Sequence, residues 1–376
     1  MISITDEIID LKEIEDILSE GQIAVDNKRI ESILDSADEL NGIQLRDASI
    51  LLNLEDKILL ETLFKRSGRI KEKLYGRKIG IFVPLYISNE CINNCLYCGF
   101  RRDNRDAKRR SLTIPEIIKE AKYLDDNGYN RILLVTSEIS YRDNSIDYYI
   151  DAIESIFKET RIRMLNLNAP PMDIDSFKRI KAAGVNIYQS FQETYHPYTY
   201  SKIHPEGMKR DYNRRVSTMD NAISAGIKNL GMGVLLGLYD YKFEVLALLS
   251  HINYLKSVYD VIPETLSVPR FRYADGAIVT TPPFPVSDID LKKIIAVYRL
   301  AFPTVNIAIS TRESPDLRDE VISMGISLIS VGSKTEPGGY TLNDRQNPFA
   351  SQFTIEDNRS LEEIIKKISM SGLMPD

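Results

Sequence analysis

From Lys78 onward the sequence repeats one alternation: a short apolar run, then an amphipathic helical stretch. The runs are Ile79–Ile87, Arg131–Thr136, Arg163–Leu167, Val185–Phe191, Asn229–Leu236, Thr265–Pro269, Val305–Ser310 and Ile326–Val331. Each is strand-sized, and most are apolar without a break, as strands covered on both faces are. Between them, Thr113 and Glu116 form a capping box, and Ser145, Asp173, Ser287 and Ser314 suit helix N-caps. Gly128, Gly184, Gly226 and Gly325 follow helical runs, where a left-handed C-cap is expected. Eight strands, each leading into a helix or long loop, predict an α/β fold, a (β/α)8 barrel of the TIM type. An open doubly wound sheet is the alternative, but no GxGxxG follows an early strand.

Residues 1–75 read differently, with apolar positions at helical spacing in Ile8–Ile17, Ile30–Leu40 and Ile50–Ile70. They are expected to form an N-terminal helical cap on a barrel spanning 76–376, which ends in a helix over Leu361–Ser371. With the polar loop Gly338–Phe353, which carries Asn343, Asp344, Arg345, Gln346 and Asn347, this cap is expected to close the barrel mouth.

Composition excludes several classes. A net charge of -6 argues against a chain built to bind nucleic acid. No apolar run approaches the roughly 20 residues of a membrane span. The start, MISITDEIIDLKEIED, is acidic and lacks the pattern of a signal peptide, so a cytoplasmic location is expected. Three cysteines cannot form a disulfide scaffold, and an odd number suits a reducing compartment.

All three sit within eight residues, Cys91-Ile-Asn-Asn-Cys95-Leu-Tyr-Cys98, just after the first strand. That is the end of a barrel where active sites form. A structural zinc would want a fourth ligand, and His196, His204 and His251 are far away in sequence. Three buried apolar thiols are the other bland reading. An iron–sulfur cube held by three cysteines leaves one iron open to a small molecule. Such an iron can chelate the amino and carboxylate groups of S-adenosylmethionine and pass an electron to its sulfonium, releasing a 5′-deoxyadenosyl radical.

The CxxxCxxC spacing, with Tyr97 before the last cysteine, resembles the radical S-adenosylmethionine superfamily. The segments PLYISNECINNCLYCGFRRDN, YQSFQETYHPYTYSKIHPEG, GMGVLLGLYDYKFEVLALL, LSVPRFR and STRESPDLRDEVISMGISLISVGSKTEPGGY narrow the resemblance to its aromatic-amino-acid lyase branch. That branch includes the tyrosine lyases of thiamine synthesis and of hydrogenase maturation, and a tryptophan lyase. The likeness runs over about residues 45 to 372 and is nearest to the hydrogenase maturase.

The resemblance implies a [4Fe–4S] cluster on Cys91, Cys95 and Cys98, and S-adenosylmethionine held by Tyr97, Glu138, Gln192, Glu193 and Arg215. Gln192 and Glu193 end the fourth strand and are both expected at the catalytic face. Arg312 and Ser333, after the seventh and eighth strands, would hold the substrate carboxylate, and Tyr86 would line the same pocket. For Arg312 the bland alternative is an ion pair with Glu313 or Asp316. His196 is left as structural or proton-handling, and His251 is expected on the outer ring.

The implied reaction is cleavage of the Cα–Cβ bond of an aromatic amino acid, above all tyrosine, to p-cresol and 2-iminoacetate. A low-potential donor such as flavodoxin or ferredoxin would supply the electron. Two departures from the maturase stand out: the three further cysteines of its second cluster are missing, and Glu264 stands where it has an iron-holding histidine. A maturase without its second cluster domain, a radical enzyme acting on another amino acid, and an iron–sulfur scaffold are the alternatives.

Overall fold

A computed structural model describes residues 8–22, 26–139, 145–342 and 349–376. The eight apolar runs become eight parallel strands: β1 (Lys78–Ser88), β2 (Arg131–Thr136), β3 (Met164–Asn168), β4 (Ile187–Gln189), β5 (Leu230–Gly233), β6 (Thr265–Ser267), β7 (Asn306–Ile309) and β8 (Leu328–Ser330). The ring closes through β1, where Val83 lies opposite Ile132 of β2 and Gly80 opposite Leu328 of β8. The closed (β/α)8 barrel expected from the alternation is therefore formed. A ninth short strand, β9 (Met374–Pro375), runs beside Lys78 and Ile79.

Four helices precede the barrel: α1 (Leu11–Gly21), α2 (Asn27–Ala37), α3 (Leu45–Leu52) and α4 (Lys57–Tyr75). Around and after it come α5 (Ile114–Asp126), α6 (Ser145–Glu159), α7 (Ile174–Ala182), α8 (Pro197–Ile203), α9 (Tyr212–Val216), α10 (Thr218–Ser224), α11 (Tyr241–Tyr259), α12 (Asp288–Ala301), α13 (Pro315–Val321) and α14 (Leu361–Met370). Their starts follow local chemistry. Thr113 and Glu116 close a capping box, Asp173 accepts from the Ser176 amide at 2.7 Å, and Ser287 and Asp290 cap α12 reciprocally. Ser314 caps α13, whereas the side chain of Ser145 lies outside the described residues.

Gly128, Gly184 and Gly226 take the left-handed conformation expected of them. Gly325 does not. A side chain there would meet Ser67 Oγ at 2.7 Å and Ile295 at 3.0 Å, so its small size serves helix packing instead.

The N-terminal helices correct a second expectation. They pack on the flank of the barrel, α4 and α3 against α12, and α1 and α3 against α11. None of their described residues lines the cavity at the mouth. The reason lies in α11 and α12, which bury apolar residues around most of their circumference, including Leu246, Leu248, Leu249, Ile252, Leu291, Ile294 and Val297. A helix apolar on all sides needs cover on its outer face as well as on the barrel. Leu60, Leu63 and Ile70 of α4 supply part of that cover. Of the polar loop, residues 343–348, and with them Asn343 to Asn347, fall outside the described residues. Among the described residues no helix is long and apolar enough to cross a membrane.

Candidate active site

One cavity opens at the C-terminal ends of the strands, bounded by the cysteine loop on one side and by Gln352 and Phe353 on another. Cys91, Cys95, Cys98, Tyr86, Tyr97, Glu138, Glu193, Arg215, Arg312 and Ser333 all line it. Gln192 does not line it. Along this strand Gln189, Phe191 and Glu193 face inward, and side chains alternate with a period of two, so Gln192 faces away. It is buried there with both amide atoms unpartnered.

The cysteine loop is anchored from three directions. The Ile92 amide donates to the Glu138 carbonyl at 3.0 Å, the Asn94 amide to the Glu206 carbonyl at 3.2 Å, and the Leu96 amide to the Ile203 carbonyl at 3.0 Å. Burial pushes all three thiols up, Cys98 to about 12; for Cys95 and Cys98 the negative charge of neighbouring thiolates adds to the effect and the Lys209 ammonium opposes it. Positive charge brought by iron would ionise them. Among the described residues no three His, Cys, Asp or Glu side chains converge as ligands of a single ion would. Three thiols around one cavity, with no fourth cysteine in the chain, fit a cluster with one open iron, and Cys91, Cys95 and Cys98 would hold it.

Beside the thiols sit two carboxylates with their cations. Glu138 pairs with Arg214 at 2.8 Å and accepts from Asn93 Nδ2 at 2.7 Å. Glu193 pairs with Lys209 at 2.6 Å, and Arg215 Nη2 stands 3.9 Å away. Burial works to raise the Glu193 carboxyl, but Lys209 and Arg215 outweigh it and hold the group below its usual range. Glu193 also takes a positive φ of 69°, uncommon for a side chain of this size. Arg215 is buried, not solvated, and its Nε donates to the Phe191 carbonyl at 2.8 Å. Tyr97 Oη lies 3.0 Å from His204 Nε2 and 3.2 Å from Lys209 Nζ.

Across the cavity the Arg312 guanidinium lies over the Phe353 ring, 3.3 Å from its centroid. Neither bland partner is used. Glu313 is engaged by Arg270 and, at 3.0 Å, by Arg272, and Arg312 has no ion-pair partner among the described residues. Burial pulls Arg312 below its usual value, with Tyr86 and Glu193 opposing. Ser333 Oγ reaches Ser330 Oγ at 3.3 Å, and Tyr86 Oη donates to Gln352 Oε1 at 2.7 Å.

Sequence reasoning missed Lys209, Arg214, Arg272, Gln352 and Phe353. Arg214 stands beside the residue that was singled out. Arg272 ends the segment LSVPRFR but was not singled out, and Lys209, Gln352 and Phe353 lie outside the motifs and reach the cavity only through long-range packing. Glu264 is exposed at the entry to β6, paired with Asn306 at 2.9 Å, so it does not occupy an iron-holding position at the mouth. His196 caps α8 and stacks on Tyr239, a structural role, and His251 is buried on α11 against Tyr195, away from the cavity.

Known proteins agree with this geometry. The profile of the Radical SAM superfamily matches residues 85–250, and that of the Biotin and Thiamin Synthesis associated domain matches 267–374. The chain is 33% identical over 339 residues to 2-iminoacetate synthase of Escherichia coli, covering 89% of this chain and 88% of that one. A crystal structure of HydG, a maturase of the [FeFe]-hydrogenase, superposes with a TM-score of 0.93 at 42% identity, over 99% of this chain and 80% of that one. HydG from Carboxydothermus hydrogenoformans gives 0.91 at 36%, over 100% and 85%. Three thiols at the mouth of a closed barrel, with these relatives along almost its whole length, make the chain a radical S-adenosylmethionine lyase of the family that includes 2-iminoacetate synthase and HydG.

Proposed function

We propose that the protein cleaves the Cα–Cβ bond of L-tyrosine, releasing p-cresol and 2-iminoacetate. The observation that carries this is Arg312: a half-buried guanidinium facing the cluster loop across one cavity, stacked on Phe353 and without a carboxylate among the described residues. A cation withdrawn from water in this way is matched when an amino acid brings its own carboxylate.

A cluster held by Cys91, Cys95 and Cys98 would, with S-adenosylmethionine, supply the radical chemistry needed at the substrate amine. The chain's own residues then have separate tasks. Glu138, set by Arg214 and Asn93, receives the cosubstrate's ammonium; Arg215 answers its carboxylate; Glu193 and Tyr97 bound the same volume. Arg312 and Ser333 fix the substrate carboxylate, so the amine stays close to the reacting carbon. Gln352 and Phe353 close the mouth and keep water away from the radical.

The reading extends to a cytoplasmic enzyme that takes its electron from flavodoxin or ferredoxin, which an oxygen-sensitive cluster on free thiols supports. The test is anaerobic reconstitution, followed by assay for p-cresol and for glyoxylate, the hydrolysis product of 2-iminoacetate. Ready cleavage of the cosubstrate with no consumption of tyrosine would sink the tyrosine reading. A second reading, a maturase that carries the cleavage on to carbon monoxide and cyanide, is favoured by the 42% identity to HydG. Carbon monoxide or cyanide among the products would establish it.

A further inference from the structure

We propose that Asn168 and Gln189 form a neutral hydrogen-bonding subsite for the hydroxyl of a 4-hydroxyphenyl ring, selecting tyrosine over phenylalanine. This rests on the lyase reading above and adds what the deep end of the cavity recognises.

The two residues end β3 and β4 and stand opposite each other in the strand register. Both line the cavity, and neither carboxamide has a hydrogen-bond partner among the described residues. Two side-by-side amides facing a largely enclosed space without partners are costly unless something polar arrives. Below them, at the next inward positions, Asn166 Oδ1 and Thr265 Oγ1 are buried and also unpartnered. The floor of the barrel is thus polar but uncharged, whereas Phe82 and Leu133 on the adjoining strands give it an apolar wall.

Depth decides which part of a ligand reaches this floor. Gln189 precedes Glu193 by two inward positions, which places it on the order of 10 Å deeper along the barrel axis. The span of a tyrosine from carboxylate to phenol oxygen is of the same order. With its carboxylate at Arg312, its ring points down the barrel toward the two amides. Space for it comes from β5. A side chain at Gly231 would stand 2.9 Å from Gln189 Cγ, so only glycine there lets the amide lie where it does. A neutral amide pair can donate to and accept from a phenol. It discriminates against phenylalanine because that ring would leave the amides unpaired.

The experiment compares wild type with Asn168→Leu and Gln189→Met, which keep size and remove hydrogen bonding. Binding of L-tyrosine, L-phenylalanine and S-adenosylmethionine to the anaerobically reconstituted protein is measured by equilibrium dialysis, beside p-cresol formation. Iron content and visible absorption report whether each variant holds its cluster, and hence its fold. Wild type should prefer tyrosine over phenylalanine at least tenfold, and at least one cluster-bearing variant should lower that ratio toward one. If both variants keep the wild-type ratio while wild type still makes p-cresol, the subsite is wrong and the lyase reading stands. If they lose affinity for S-adenosylmethionine and keep tyrosine selectivity, the amides serve the cosubstrate and the proposal is overturned. A wild type that neither binds nor consumes tyrosine overturns both.

Discussion

Arg312 shows how much one side chain's surroundings say beyond its identity. Its charge lies on a ring and near a backbone carbonyl, the Arg270 oxygen at 3.4 Å, with no carboxylate among the described residues. Arg312→Lys keeps the charge but loses the planar fork and the stacking. It should raise the KM for tyrosine by about ten- to a hundredfold, the equivalent of about 1.5–3 kcal/mol for a charged hydrogen bond, with iron content equal to wild type. A KM within twofold of wild type would remove Arg312 from the substrate site. The same arithmetic applies opposite. Glu138→Gln, which leaves Arg214 without its 2.8 Å partner, should weaken S-adenosylmethionine binding about tenfold or more in a titration of the reconstituted protein. Unchanged titration would free Glu138 of that role.

At the scale of elements, the segment Phe349–Asp357 crosses the barrel mouth and is tied to what lies beneath. The Gly99 amide donates to the Gln352 carbonyl at 3.0 Å, the Gln352 amide to the Thr335 carbonyl at 2.9 Å, and the Thr354 amide to the Tyr273 carbonyl at 2.8 Å. A side chain at position 99 would come within 2.1 Å of the Ser351 carbonyl oxygen. Gly99→Ala should therefore push the segment off the cluster loop, lower stability by about 1–3 kcal/mol and raise the KM for tyrosine. A melting temperature equal to wild type would show that the contact yields freely. Elements like this were the least legible in the sequence. The strands could be read because apolar runs report burial directly. Their ends were overread, as in Val185–Phe191 against the observed Ile187–Gln189, because chain beyond the ladder stays apolar while pairing shrinks to single bridges such as Glu193 with Val234. The thiols were legible through their spacing, and Glu138 and Arg312 through strand order and the resemblance of the segments around them. Gln352 and Lys209 were not, since only the fold brings Gln352 to Tyr86 and Lys209 to Asn93, and no local pattern encodes such contacts.

Over the whole molecule, stability depends on groups hidden behind the barrel wall. His251 is fully buried on α11, its Nδ1 2.9 Å from Tyr195 Oη, and burial lowers its pKa to about 3. An unfolded histidine titrates near 6.5, so the unfolded chain binds the proton first. The stability His251 contributes is complete above about 6.5 and is lost as pH falls toward 3, at about 1.4 kcal/mol per unit. Nearby Glu244, raised by burial to about 8, works the opposite way between its unfolded value and 8, so the measurement must be a difference. Urea unfolding of wild type and His251→Gln from pH 7 to 4 should show the wild type losing stability faster below 6.5, and parallel curves would refute the assignment. The closure of the barrel has a consequence for how the protein is made. The thiol loop hangs from β1, and β1 cannot complete its ring until β8 has left the ribosome. For most of its synthesis the chain carries its three cysteines on a sheet that has not yet closed. Closure and the crossing of Phe349–Asp357 come last, so contacts between that segment and the thiol loop, such as the Gly99 amide to the Gln352 carbonyl, form only after the loop has long been made.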